Sequence, residues 1–200
     1  VNKILEEPFS PNQLISFAMQ GELLASGNAH ADNVAPALLG GFSLVRSYSP
    51  LEVLSLPVPS ELRVVVLHPM IEIITKDSRS IIKQNVSLKS AIKQWGNLGA
   101  LVSALYTDDY ELLGRSLQDE IVEPVRSILI PYFQELDNLV AENGALGFGI
   151  SGSGPSVYAL CKGDENAQKV KNAIEVFYSD KNIDFDLHVS AINRQGVKIL

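Results

Sequence analysis

A short polar cluster, His30, Asp32 and Asn33, holds the side chains best suited to bind a small charged molecule. It lies in GNAHADNVAPALLGG, residues 27–41, where it runs directly into an apolar segment that ends in two glycines. The side chain of Asp32 or Asn33 could instead cap the helix that follows, by accepting hydrogen bonds from its open N–H groups. A zinc site would need two or three further ligands, and the other histidines are too distant in sequence to be assumed. The spacing alone leaves a ligand-binding cluster and a helix cap open.

The second candidate is the glycine-rich segment GFGISGSGPS, residues 147–156. Its glycines allow the backbone to turn its N–H groups inward around an anion, with serine hydroxyls as further donors. The predicted donors of this phosphate loop are Gly149, Ser151, Gly152, Ser153 and Gly154. No Gly-Lys-Ser/Thr follows and the next element is a strand, which excludes a Walker loop and a dinucleotide fingerprint. A flexible turn before a strand is the alternative.

Two further residues could bind an oxyanion. Thr75 and Arg79 are four residues apart, so on a helix their side chains face the same way. A hydroxyl and a guanidinium at a helix start suit a phosphate or a carboxylate, with a solvated surface pair as the alternative. Arg126, in the sequence EPVR, is either an ordinary exposed arginine or a partner of Glu123.

The elements before residue 60 must position the polar cluster. Ser10, Pro11 and Gln13 combine a capping serine, a proline at the first helical position and a glutamine three residues after the cap. They predict a helix that runs to about residue 25, with Glu22 near its end. Further predicted elements are a short helix over 32–39, strands over 42–48 and 51–56, and a domain boundary at 57–60, where two prolines interrupt regular structure.

The rest of the chain reads as strand, several helices, strand, helix and strand. The predicted strands cover 62–67, 157–161 and 185–191, and the predicted amphipathic helix between the last two covers 165–178. Between the first two strands helical periodicity dominates, with one helix opened by Pro131 and closed by Asn143-Gly144. This order predicts an α+β fold with helices on one face of an antiparallel sheet.

Composition excludes several classes of protein. The net charge is −7 and the basic residues are scattered, which argues against nucleic-acid binding. No stretch approaches the roughly 18 consecutive apolar residues that a membrane span requires. Cys161 is the only cysteine, so no intrachain disulfide can form, and its setting in VYALC predicts a packed thiol rather than a nucleophile. We therefore expect a cytoplasmic protein.

Four stretches together resemble the homoserine kinases of the GHMP small-molecule kinase family. They are GELLASGNAHADNVAPALLGGF (21–42), TKDSRSIIK (75–83), EPVRSILIP (123–131) and GFGISGSGPSVYAL (147–160). The last is similar to a motif shared by all GHMP kinases, whereas the first is typical of the homoserine kinases. The resemblance implies the remainder of a ribosomal S5 domain 2-like, ATP-binding domain over 1–57 and a ferredoxin-like domain over 60–200.

The same resemblance implies a reaction and its participants. The γ-phosphoryl group of ATP is transferred to the hydroxyl of L-homoserine, giving O-phospho-L-homoserine for threonine biosynthesis. ATP and Mg²⁺ are the implied cofactors, and a homodimer is a candidate assembly because family members are commonly dimers. Neither nucleic acid nor a membrane is an expected partner.

Site residues follow from the resemblance position by position. Glu22 matches the glutamate that holds Mg²⁺, and His30, Asp32 and Asn33 match the homoserine-binding segment, where Asp32 could pair with the substrate ammonium. Asp32 is also the only side chain that we would consider as a general base. The remaining matches are Thr75 near the transferring phosphate, Arg79 and Arg126 with the substrate carboxylate, and the 149–154 backbone with substrate and phosphate.

One family hallmark, a Pro-x-x-x-Gly-Leu-Gly-Ser-Ser-Ala nucleotide loop, is absent from these 200 residues. We therefore expect the 200 residues alone to lack the N-terminal part of the family fold and to be inactive, and the full-length protein to be active. Two alternatives stay open. One is a GHMP kinase for another small alcohol, and the other is a non-catalytic module that binds an amino acid or mediates dimerisation.

Overall fold

A computed structural model of the chain describes residues 2–72 and 81–198. It consists of two compact units, Val1–Val58 with Ile192–Leu200, and Pro59–Ala191. The sequence-based division placed residues 192–200 in the second part, whereas the structure groups the described residues 192–198 with the first unit. The physical reason is a backbone contact within that unit: the N–H of Gly41 donates to the carbonyl oxygen of Asn193 at 2.7 Å.

The first unit is a helical pair and a β-hairpin. Its elements are α1 (Pro11–Ser26), α2 (Val34–Leu39), β1 (Phe42–Tyr48) and β2 (Leu51–Leu56). The two strands are antiparallel. Ile15, Ala31 and Ala35 form the buried centre of this unit, and hydrophobic side chains of the hairpin pack against them. The helices are thereby fixed on the hairpin by apolar contacts.

Helix α1 begins and ends where its sequence predicts. Gln13 donates its backbone N–H to the hydroxyl of Ser10 at 3.4 Å, and the Ser10 N–H donates to the Gln13 side-chain oxygen at 2.9 Å, which is a capping box. At the other end Gly27 adopts φ 77° and donates its N–H to the oxygen of Leu23. A glycine takes this left-handed conformation without steric cost, which ends the helix within two residues of the predicted limit.

The second unit is a four-stranded antiparallel sheet with helices. Its elements are β3 (Leu62–Pro69), α3 (Leu88–Thr107), α4 (Tyr110–Ser116), α5 (Glu123–Arg126), a 3₁₀ turn (Ser127–Leu129), α6 (Phe133–Glu142), β4 (Ala145–Ile150), β5 (Val157–Lys162), α7 (Gly163–Tyr178) and β6 (Phe185–Ala191). The strand order is β4-β5-β3-β6. This arrangement of strands and helices is ferredoxin-like and confirms the predicted α+β class.

Strand β4 was not predicted, because the sequence of its second half is rich in glycine. The structure pairs Phe148 with Ala159 and Gly149 with Tyr158 of β5. A Cβ atom at Gly149 would lie 2.9 Å from the Tyr158 hydroxyl oxygen, so this glycine permits close packing of the tyrosine rather than a turn. The predicted loop over 147–156 is therefore a strand up to Ile150 and a turn only after it.

The core of the second unit lies between the sheet and α6 and α7. Leu136, Val140, Val170 and Ile174 are at most 1% exposed and pack against the buried side of the strands. Cys161 belongs to the same cluster, and its burial raises the pKa of the thiol to about 11. This confirms a packed thiol, since a reactive cysteine needs an accessible thiolate.

Helix length and hydropathy bear on membrane insertion. Across residues 2–72 and 81–198, no helix has the length and apolar character needed to cross a bilayer.

Candidate functional site

The predicted polar cluster lies in the loop that joins α1 to α2. Glu22 is partly buried on α1, about one turn before the helix ends, and His30 is partly buried in the loop. Asp32 and Asn33 are exposed just before α2. The structure begins α2 at Val34, two residues later than predicted, so all three cluster residues lie outside the helix.

Helix capping does not account for Asn33. This residue occupies the N-cap position of α2, but its backbone is helical, with φ −95° and ψ −42°, and its side chain makes no capping hydrogen bond. A capping side chain normally sits on extended backbone, from which it reaches the N–H groups of the first turn. The structure therefore does not bear out a helix cap formed by the Asn33 side chain.

Apolar residues between the polar ones hold the loop in place. Ala31 and Ala35 are fully buried with Ile15, and the Ala35 N–H donates to the Ala31 oxygen at 2.8 Å. At the far end of α2 the Gly40 N–H donates to the oxygen of Pro36 at 2.8 Å. The alanines thus fix the backbone while the polar side chains of the neighbouring positions remain accessible.

In the second unit, Arg126 and the glycine-rich turn come together. The Arg126 guanidinium donates from Nη1 to the carbonyl oxygen of Gly152 at 2.9 Å, although 26 residues separate the two in the chain. Gly152 has φ 60°, a conformation that side chains rarely adopt. A guanidinium carries five N–H donors, so Arg126 can hold the turn and also meet other acceptors.

The turn offers fewer anion-binding donors than its composition suggested. The Ser151 N–H donates to the Ser156 oxygen at 2.9 Å, and the Gly154 N–H donates to the Ser151 oxygen at 3.0 Å. These two backbone donors are therefore used inside the turn. Among the residues that the structure describes, the N–H groups of Gly152 and Ser153 make no such bond, so they are the donors that could meet an anion.

Two residues that hold this turn were missed by sequence reasoning. Ser156 closes the turn through its carbonyl oxygen, and its hydroxyl lies 2.8 Å from Nδ1 of His68 on β3. His68 and Ser156 are 88 residues apart, and no local pattern connects them. Only the pairing of β3 with β5 brings the two together.

A small cavity of about 100 Å³ adjoins Arg126 and Gly152. Asp119, Glu123 and Tyr158 also line it. The Asp119 carboxylate accepts hydrogen bonds from the N–H groups of residues 121, 122 and 123, at 2.7, 2.9 and 3.3 Å. Asp119 therefore fixes the start of α5 and, through it, the position of Arg126.

Burial at this cavity disfavours the negatively charged forms of two side chains that line it. Burial, together with the charges of Asp119 and Asp137, raises the pKa of Glu123 to about 7. Burial, Glu123 and Asp119 likewise raise the pKa of Tyr158.

We expect Glu123→Gln to remove part of the pH dependence of stability. The folded-state pKa of Glu123 lies above its unfolded value, so the protonated carboxyl contributes to the stability of the fold. This contribution is complete below about pH 4.5 and is lost as the pH rises through about 7. Above pH 7 the variant should be more stable than the wild type by about 1–2 kcal/mol, an amount reduced for solvent screening of a partly exposed group. Urea unfolding between pH 5 and 8 measures this, with the exposed Glu142→Gln as control. Parallel pH profiles for wild type and Glu123→Gln would contradict the prediction.

Two of the predicted site residues, Thr75 and Arg79, lie outside the described residues. Glu22 and the polar cluster belong to the first unit, and Arg126 and the glycine-rich turn to the second. Among the described residues, no group of three or more His, Cys, Asp or Glu side chains could hold a metal ion.

Comparison with known proteins gives matches along the whole chain. Residues 101–180 match the family model described as GHMP kinases C terminal. The homoserine kinase of Chlorobium phaeobacteroides (strain BS1) is 43% identical over 201 aligned positions, which cover all of this chain and 63% of that protein. The homoserine kinase of Methanococcus vannielii is 38% identical over 180 positions, covering 90% of this chain. The chain thus spans less than two thirds of the length of the relatives it matches.

Solved structures agree with these sequence matches. The crystal structure of homoserine kinase from Cytophaga hutchinsonii superposes with a TM-score of 0.93 at 50% identity, covering 98% of this chain and 62% of that one. Mevalonate kinase from L. major, solved with R-mevalonate, superposes with a TM-score of 0.71 at 17% identity. At that identity the likeness concerns the fold alone.

Proposed function

We propose that the whole protein phosphorylates L-homoserine. The premise is that this chain belongs to the GHMP kinase family and is a partial homologue of the homoserine kinases. The γ-phosphoryl group of ATP would pass to the side-chain hydroxyl, giving O-phospho-L-homoserine, an intermediate of threonine biosynthesis. The observation that carries this proposal is the match of nearly the whole chain to a homoserine kinase structure at 50% identity.

The first unit would bind the amino end of the substrate. Asp32 is exposed on a loop whose backbone is fixed by buried alanines, so its carboxylate can pair with an ammonium group at little conformational cost. His30 and Asn33, on either side, add hydrogen-bonding groups to the same surface. The lack of a capping bond at Asn33 supports this use of its amide.

The second unit would bind the carboxylate and approach the phosphate. Arg126 can form the paired, planar hydrogen bonds that a carboxylate favours, and its bond to Gly152 orients the guanidinium beforehand. The donors of Gly152 and Ser153 would meet an anionic oxygen, while Ser151 and Gly154 hold the turn and Gly149 lies in the strand before it. Thr75 and Arg79 complete the predicted set as a hydroxyl near the phosphate and a second carboxylate ligand.

The residues present fit Mg²⁺ bound together with ATP. Mg²⁺ is commonly held by one or two carboxylates, with water and substrate phosphates as its other ligands, rather than by an all-protein cage. Glu22, which is partly buried on α1, would be the protein's carboxylate. Bound Mg²⁺ would neutralise charge on the triphosphate.

Catalysis would then depend mainly on positioning. Phosphoryl transfer needs the hydroxyl and the phosphorus held in line, with charge on the phosphoryl oxygens neutralised, more than covalent help from the protein. A charged side chain such as Asp32 or Arg126 would hold one charged end of homoserine and so restrict the orientation of its hydroxyl. A side-chain base is not required, and Asp32 is the only candidate for one.

The proposal is tested with purified whole protein, ATP and a panel of homoserine, mevalonate and shikimate. We expect turnover with homoserine and formation of its O-phosphate, detected by phosphorus NMR. Preference for another alcohol would favour a different GHMP specificity, and homoserine binding without turnover would favour a non-catalytic module.

Asp32→Asn tests the role given to the polar cluster. We expect kcat/KM for homoserine to fall about tenfold to a hundredfold, mainly through KM, because an ionic hydrogen bond to the ammonium becomes a neutral one. Asp180→Asn, an exposed aspartate after α7, is the matched control. Equal kinetics for the two variants would remove Asp32 from the site.

A further inference from the structure

A side-chain hydrogen bond links β3 to the glycine-rich turn just beyond the point where β3 stops pairing with β5. The last backbone pair of the two strands is Leu67 opposite Val157. The next residue on each side is joined by side chains instead, because Nδ1 of His68 lies 2.8 Å from the hydroxyl oxygen of Ser156. This bond therefore extends the link between the two strands by one residue, into the turn.

The strand that carries His68 is fixed on its other edge. There His68 still pairs with Asp186 of β6. Beyond the end of β3, the Met70 N–H donates to the carbonyl oxygen of Asp184 at 2.7 Å. The backbone of His68 is thus held by β6, while its ring reaches the turn on the opposite side.

The turn needs such support because its glycines add conformational freedom. Gly152 and Gly154 have φ 60° and 78°, values that glycine adopts readily among many others. The turn is closed where the Ser151 N–H donates to the carbonyl oxygen of Ser156 at 2.9 Å. A contact that fixes Ser156 therefore also fixes the acceptor of the closing hydrogen bond.

Two attachments from different elements hold the turn. Arg126 on α5 bonds the carbonyl oxygen of Gly152 at 2.9 Å, and His68 on β3 bonds the hydroxyl of Ser156. The N–H groups of Gly152 and Ser153 belong to the short segment between these attachments. Donors that are arranged before binding meet an anion without the entropic cost of ordering the loop.

We infer that His68 is a positioning residue: through Ser156 it holds the glycine-rich turn in the conformation in which the N–H groups of Gly152 and Ser153 meet an anionic oxygen. The inference rests on the proposed function for what the turn binds. The support of the turn itself rests only on the contacts within the second unit.

Hydrogen exchange of the whole protein, followed by NMR, tests the support of the turn. The Ser151 amide is protected by its bond to Ser156, and we expect it to exchange about five- to tenfold faster in His68→Ala and in Ser156→Ala, as for the loss of one hydrogen bond. His188→Ala, which removes an exposed histidine of β6, is the control and should leave this exchange unchanged. Unchanged exchange in His68→Ala, or equal acceleration in His188→Ala, would overturn the inference.

Steady-state kinetics of the whole protein with ATP and homoserine tests the effect on the reaction. The amide of asparagine coincides with Nδ1 of histidine and that of glutamine with Nε2, so only His68→Asn keeps a hydrogen-bonding partner for Ser156. We expect kcat/KM to fall about tenfold in His68→Gln and His68→Ala, and to stay within about twofold of the wild type in His68→Asn. Adding Ser156→Ala to His68→Ala should cause no further loss, because both substitutions remove the same bond.

The two tests separate this inference from the proposed function. Equal kinetics for His68→Asn and His68→Gln, or additive losses in the double variant, would overturn the positioning role. A wild type that does not turn over homoserine would refute the proposed function. The exchange of the Ser151 amide would still decide whether His68 holds the turn, because that measurement needs no turnover.

Discussion

Arg126→Ala, in the whole protein, is expected to lower kcat/KM for homoserine about 300-fold, an effect of some 3–4 kcal/mol. The arginine is oriented by its 2.9 Å bond to Gly152, so the donors that would meet the substrate carboxylate are arranged before binding. Most of the loss should appear in KM, because Arg126 would bind the substrate carboxylate equally in the ground state and the transition state. Steady-state kinetics with varied homoserine measures both constants.

Two comparisons separate carboxylate binding from other effects of the same substitution. Arg126→Lys keeps the charge but not the planar fork, so its kcat/KM should lie between those of the wild type and the alanine variant. With 3-aminopropan-1-ol, which is homoserine without its carboxylate, the wild type and Arg126→Ala should be nearly equal. Arg115→Ala, which removes an exposed arginine on α4, is the control. An equal loss with both substrates would mean that Arg126 acts only by supporting the turn.

Local signals predicted most elements of the fold. Residues close together in the sequence specify the capping box of α1 and the Ser49-Pro50 turn between β1 and β2. The helix and the two strands accordingly end within two residues of their predicted limits. Strand β4 was missed because Gly147 and Gly149 have low strand propensity, and only packing against Leu117 and Tyr158 explains them.

The contacts within the candidate site could be predicted from the sequence only in small part. The resemblance to the homoserine kinases selected Arg126 and Gly152, but their hydrogen bond depends on how α5 packs near the end of β4. The bond between His68 and Ser156 depends on sheet pairing across 88 residues. The glycine-rich composition suggested five equivalent donors, whereas the turn uses two of them for its own hydrogen bonds. Such contacts join residues far apart in the chain, and local patterns do not encode them.

Gly196→Ala should destabilise the first unit and misplace the polar cluster. Gly196 has φ 61°, and a Cβ atom there would overlap the backbone oxygen of Leu38 in α2. The added Cβ atom would meet a backbone atom, and no side-chain rotation relieves such a contact. We therefore expect the free energy of unfolding to fall by about 2–4 kcal/mol.

The same contact links the C-terminal segment to the proposed substrate site. Because α2 has only six residues, displacing its C-terminal end should also move Asp32 and Asn33 at the other end, and KM for homoserine should rise. Urea unfolding and steady-state kinetics of the whole protein measure the two effects. The control is Gly21→Ala on α1, where a Cβ atom has nothing within 4 Å and a helical alanine should stabilise by up to about 1 kcal/mol. Wild-type stability in Gly196→Ala would refute the backbone contact, whereas lost stability with an unchanged KM would separate the C-terminal segment from substrate binding.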